Sequence, residues 1–169
     1  MAESLVINKG LTLEEQYVLL ENQIFSLLES NDKLISKLAN FCAALKQSFE
    51  KISWVGFYFF DGEKLFLGPF QGKVACTNIL IGKGVCGTAA KERRTVIVPN
   101  VNEFPGHIIC DAESKSEIVV PIVKENALLA VLDIDSTELD AFSRTDQLYL
   151  QRLCSYLANN IFNKTTISF

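Results

Sequence analysis

The chain has 169 residues, 49% hydrophobic and 21% charged, with a formal charge of −4. That length carries one domain with a real core and is short for two, and the composition is that of a folded chain rather than a disordered one. A mildly acidic chain lacks the basic field that phosphate backbones need, so no nucleic-acid partner is expected.

The N-terminal stretch MAESLVINKGLTLEEQ has no basic segment leading into an apolar one, so it does not read as a secretion signal. No apolar run approaches the ~18 residues that cross a bilayer, so no membrane partner is expected and a cytoplasmic location is. Thr12-Leu13-Glu14-Glu15 is a capping box that opens a helix, in which Tyr17, Leu20, Ile24, Leu27 and Leu28 recur at helical spacing. Asn31-Asp32 punctuates, and a second helix carries Leu34, Leu38, Phe41, Cys42 and Leu45. The rhythm then changes to strands: ISWVGFYFF (52–60), LFLGPF (65–70) and VACTNILI (74–81), separated by Asp61-Gly62 and Gln71-Gly72-Lys73. A short helix follows at about 86–93, then a brief strand, TVIVP (95–99). Residues 100–115 have no period. SEIVVPIV (116–123) and ALLAVLDID (127–135) form a late hairpin around Glu125-Asn126. Ser143 caps a last helix with Leu148, Leu150, Leu153, Leu157 and Ile161 as its apolar positions. Antiparallel strands with helices stacked to one side make an α+β architecture, and with no repeat or linker in view, residues 1–169 read as a single domain.

The cysteines suggest where chemistry lies. Five of them in a chain expected to be cytoplasmic argue against a disulfide framework and for free thiols, a metal site or redox chemistry. Cys42 and Cys154 fall in the apolar rhythm of helices and read as packing. Cys86, in IGKGVCG, sits where a glycine-rich turn opens a helix, and a helix N-terminus stabilises a thiolate. Cys76 lies on the preceding strand. Cys110 lies in the 100–115 stretch, whose apolar content (Phe104, Pro105, Ile108, Ile109) suits a lid packed over a site. Cys76, Cys86, Cys110 and His107 could make a metal set, but their spacing fits no usual zinc pattern, so no metal is expected. His107 reads as a loop residue.

Two further features stand out. Asp133 and Asp135 share one face of an otherwise apolar strand. A three-residue hairpin loop would bring Glu117 to that face, and a two-residue loop would turn it away. If all three acids cluster, they cannot all ionise. In the first strand Trp54, Gly56 and Tyr58 alternate onto one face, with Gly56 leaving a slot between two rings.

Trp54-Val55-Gly56-Phe57-Tyr58, Gly84-Val85-Cys86-Gly87, His107-Ile108-Ile109-Cys110-Asp111, Ser116-Glu117-Ile118-Val119-Val120-Pro121 and Leu132-Asp133-Ile134-Asp135-Ser136 closely resemble the free methionine-(R)-sulfoxide reductases, enzymes on the GAF fold. The likeness spans about residues 10–162. It implies a GAF-like sheet of about six antiparallel strands, with the N- and C-terminal helices on one side and a short helix plus lid loop on the other. It implies thiol-dependent reduction of free methionine (R)-sulfoxide, an antioxidant repair, at redox cysteines Cys76, Cys86 and Cys110. The pocket would be Trp54, Tyr58, Glu117, Asp133 and Asp135, with no cofactor. Family members are typically recycled by thioredoxin and often form dimers. On this reading Cys110 attacks and Cys86 is the first choice to resolve it, with Cys76 as alternate; the helix-start argument makes Cys86 the competing nucleophile. The rival is a GAF module that senses a small molecule without catalysis.

Overall fold

The computed structural model describes residues 4–29, 32–108 and 111–162. Helix α1 (Leu13–Leu28) begins at the expected capping box: the Thr12 hydroxyl accepts from the Glu15 amide, and the Glu15 carboxylate accepts from the Thr12 amide at 2.9 Å. Its buried stripe is Tyr17, Leu20, Glu21, Ile24 and Leu28; α2 (Leu34–Ser48) buries Leu38, Phe41, Cys42, Ala44 and Leu45. Helix α4 (Arg144–Tyr156) opens on a second capping box, Ser143 with Asp146, and runs into a wider π turn at Leu157–Ile161. Asp146 is fully buried, with Tyr17 Oη and Lys51 Nζ each donating to it at 2.7 Å. Leu148, expected inside, is instead 54% exposed.

The strands are β1 (Trp54–Phe60), β2 (Lys64–Gln71), β3 (Asn78–Leu80), β4 (Val96–Val98), β5 (Ser116–Lys124) and β6 (Ala127–Ser136). They form one antiparallel sheet in the order β3-β2-β1-β6-β5-β4. Period-2 alternation divides the core in two. Val55, Phe57, Phe59, Ile118, Val120, Ile122, Ala130, Leu132 and Ile134 pack on the layer of α1, α2 and α4. Trp54, Tyr58, Val119 and Val131 face the other way, against α3 (Gly84–Glu92) and the connection after β4. The expected third strand is shorter than its apolar run, since only Asn78–Leu80 pair with β2. Cys76 therefore lies in the loop between β2 and β3 rather than on a strand.

The β5–β6 hairpin decides which residues face the pocket. It closes on the two-residue loop Glu125-Asn126, both in the left-handed region (φ 48° and 67°). That loop alone would turn Glu117 away from the aspartates. A β-bulge reverses the parity: Val123 pairs with Leu128 but Ile122 with Ala130, so Leu129 is the extra residue. Beyond it Glu117 pairs with Asp135 and Val119 with Asp133. All three acids then share the α3 side with Trp54 and Gly56, which pair with Asp135 and Asp133 across β1.

Candidate active site

A hollow of about 40 Å³ lies between this sheet face, the N-terminus of α3 and the lid. Its floor is Cys86, Glu117, Asp133 and Asp135, and its aromatic wall is Trp54 and Tyr58. The Trp54 indole stacks on Phe70 (centroids 5.4 Å) and on Tyr58 (6.1 Å). It lies directly over Gly56, where a Cβ would come within 2.4 Å of the ring. The gap expected at Gly56 is thus filled by Trp54 itself, and the cavity lies beyond the indole.

The same two rings fix the loop that carries Cys76. Trp54 Nε1 donates to the Lys73 carbonyl at 3.0 Å, and Tyr58 Oη donates to the Cys76 carbonyl at 3.0 Å. Cys76 is disulfide-bonded, whereas Cys42, Cys86 and Cys154 are free thiols. The disulfide of this structure is therefore not on Cys86, the first-choice resolving residue of the sequence reading. Ile109 and Cys110 lie outside the described residues. Beyond them, Lys73 Nζ reaches Glu113 at 2.6 Å and Asp111 at 3.5 Å, tying the lid to the Cys76 loop.

Helix α3 brings Cys86 to the floor. Gly84 starts it at φ 61°, a conformation that costs glycine little, and Ile108 of the lid packs on that glycine. Cys86 is only 4% exposed, with Sγ 4.0 Å from Glu117 Oε1. Burial, then the charges of Asp133 and Glu117, push the thiol well above its ordinary pKa. Burial and the acids opposite thus act against the helix dipole that the sequence reading invoked for a reactive Cys86 thiolate.

The acids are raised too. Burial, then the neighbouring aspartates, push Glu117 well above the usual carboxyl range; burial, then Asp133, does the same to Asp135. Burial raises Asp133 to about 6. Asp133 Oδ1 is buried without a hydrogen-bond partner. Such a cluster holds protons at neutral pH and can deliver one. His107, read from sequence as an ordinary loop residue, places Nε2 3.9 Å from Glu117 Oε2, and burial lowers its pKa, keeping it neutral. Lys83, Asp111 and Ser114 also line the hollow. Sequence reasoning missed them because their polar side chains, in turns and loops, look like ordinary solvated residues. Cys42 and Cys154 are buried in the helix-side core, as expected of packing residues.

Fold and site together define an α+β domain with a small pocket in which buried acids face a buried cysteine thiol. Residues 33–161 match the GAF domain family, and the chain belongs to it. It is 50% identical over 160 residues to GAF domain-containing protein A of Dictyostelium discoideum, covering 94% of this chain and 100% of that one. It is 42% identical over 143 residues to the free methionine-R-sulfoxide reductase of Escherichia coli (strain K12), covering 85% and 87%. The solved free methionine-R-sulfoxide reductase of Neisseria meningitidis, in complex with its substrate, superimposes with a TM-score of 0.88 at 40% identity, covering 92% of this chain and 93% of that one. Among the described residues no helix is long and apolar enough to cross a membrane.

Proposed function

We propose that the protein reduces free L-methionine (R)-S-oxide to methionine in the cytoplasm, by thiol chemistry recycled through thioredoxin. The names of the relatives support the reaction. The observation that carries it is local: a disulfide-bonded cysteine, Cys76, is pinned by Tyr58 beside a pocket floored by proton-holding carboxyls.

The substrate S-methyl group lies against Trp54, as a soft sulfur centre suits an aromatic face. An ionised member of Glu117, Asp133 and Asp135 holds the ammonium. Lys83 and the first amides of α3, which has no side-chain cap, receive the carboxylate. A free amino acid meets both ends of the pocket, and a residue within a protein chain meets neither. The Cys110 thiolate attacks the sulfoxide sulfur while a protonated acid gives its proton to the oxygen. The sulfoxide gains two electrons and becomes methionine, and Cys110 becomes a sulfenic acid. The Cys76 thiol then attacks that sulfur; an S–S bond forms and the oxygen leaves as water. The resolving role passes from Cys86 to Cys76, because Cys86 is the free thiol here and Cys76 the bonded one. A dithiol of thioredoxin reopens the bond by exchange.

The test is NADPH consumption with thioredoxin and its reductase present. Turnover of the free R epimer and none of the S epimer is expected. No turnover, or equal turnover of both, overturns the reading.

A further inference from the structure

We propose that the pocket floor also binds one zinc-class divalent ion, through Cys86 Sγ, Glu117, Asp133 and His107 Nε2. The first three offer one ligand atom each, all within 4.8 Å of one another. Cys86 Sγ to Glu117 is 4.0 Å and His107 Nε2 to Glu117 is 3.9 Å. Two ligands on a tetrahedral zinc lie roughly 3–3.5 Å apart, given bonds of ~2.0–2.3 Å, so the Cys86, Glu117 and Asp133 atoms must draw together by up to about 1.3 Å, and His107, which reaches only Glu117, must swing in further to complete the set. The cluster is not simply a set of acids bonded to one another: Asp133 is 7% exposed, lines the hollow and keeps Oδ1 without a partner. A mixed sulfur, nitrogen and oxygen set suits zinc over calcium or magnesium.

This set differs from the one considered from sequence, because Cys76 is disulfide-bonded and cannot ligate. Binding replaces the protons of Cys86 and the carboxyls with a dication, so affinity rises with pH. The ion takes the carboxyls that the substrate needs, so the two exclude each other.

The test uses cobalt(II) as an optical stand-in, on protein kept under non-reducing conditions with its disulfide formed. Cys42 and Cys154 lie buried in the helix-side core, so a thiolate signal reports Cys86. The expected result is a thiolate-to-cobalt charge-transfer band with four-coordinate visible bands, saturating at one ion per chain and bleached by zinc. Cys86→Ala should abolish the charge-transfer band. Asp133→Asn should weaken binding by at least the roughly tenfold that loss of even an outer-shell partner costs. Glu63→Gln, at an exposed acid on the β1–β2 turn, should leave it unchanged. Circular dichroism confirms that each variant is folded. A spectrum that stays that of free aqueous cobalt, a band that survives Cys86→Ala, or unaltered affinity in folded Asp133→Asn overturns the site. The readout does not involve turnover, so it stands or falls apart from the reductase reading.

Discussion

Replacing Asp133 with asparagine should stabilise the protein above about pH 6 and change little near pH 4. Burial moves this carboxyl from 3.8 to about 6 in the folded state. Below the lower value both folded and unfolded chains are protonated, and the acid costs nothing. As pH rises between the two, the unfolded chain ionises and the folded one does not, so stability is progressively lost; above about 6 the loss is complete. The two values differ by about two pH units, and at ~1.4 kcal/mol per unit the full cost is about 3 kcal/mol. Asparagine has nearly the same shape and no charge to desolvate. For a chain of this size 1 kcal/mol moves the melting temperature by ~2–4 °C, so Asp133→Asn should melt roughly 6–12 °C higher at pH 7. Melting curves of both proteins at pH 4, 5, 6 and 7, followed by circular dichroism, measure the divergence. A difference that does not vary with pH, or a less stable variant at pH 7, refutes the placement of Asp133 as a buried, desolvated acid.

Other perturbations probe the scaffold. Gly56→Ala drives a methyl into the Trp54 indole and the Phe70 Cβ, and should cost about 1–3 kcal/mol in urea unfolding, typical of overpacking, while weakening substrate binding. Deleting Leu129 removes the extra residue of the bulge but leaves the pairs beyond it, Ile122 with Ala130 through Glu117 with Asp135, in register; the variant should therefore keep turnover wherever circular dichroism shows a retained sheet. Tyr17→Phe leaves buried Asp146 without a 2.7 Å hydrogen bond, and should cost about 1.5–3 kcal/mol by denaturant titration, as for bonds to charged groups.

The local rules carried much of the fold. The two capping boxes, the turn at Glu125-Asn126 and the alternation along β1 and β6 are short-range signals, and each appears where the residues call for it. What escaped depends on distant neighbours. The bulge at Leu129 is invisible inside an unbroken apolar run, so the side on which Glu117 falls could not be settled from loop length. The thiol of Cys86 looked activated from its own helix, but the acids that oppose it come from β5 and β6. VACTNILI has strand composition throughout, yet only Asn78–Leu80 pair with β2, and its first half is a loop whose Cys76 carbonyl is bonded by Tyr58 instead. The motif residues of the pocket were legible as chemistry; Lys83 and Ser114 were not, because their role comes only from where the chain places them.

A single turnover tests the central claim most directly. Fully reduced protein is mixed with excess free methionine (R)-sulfoxide and no reductant, and methionine and remaining thiols are counted by mass spectrometry. The expected result is one methionine per chain, loss of the Cys76 and Cys110 thiols together, and Cys86 still free. Methionine formed without loss of those two thiols, or loss of the Cys86 thiol in place of Cys76, would contradict it.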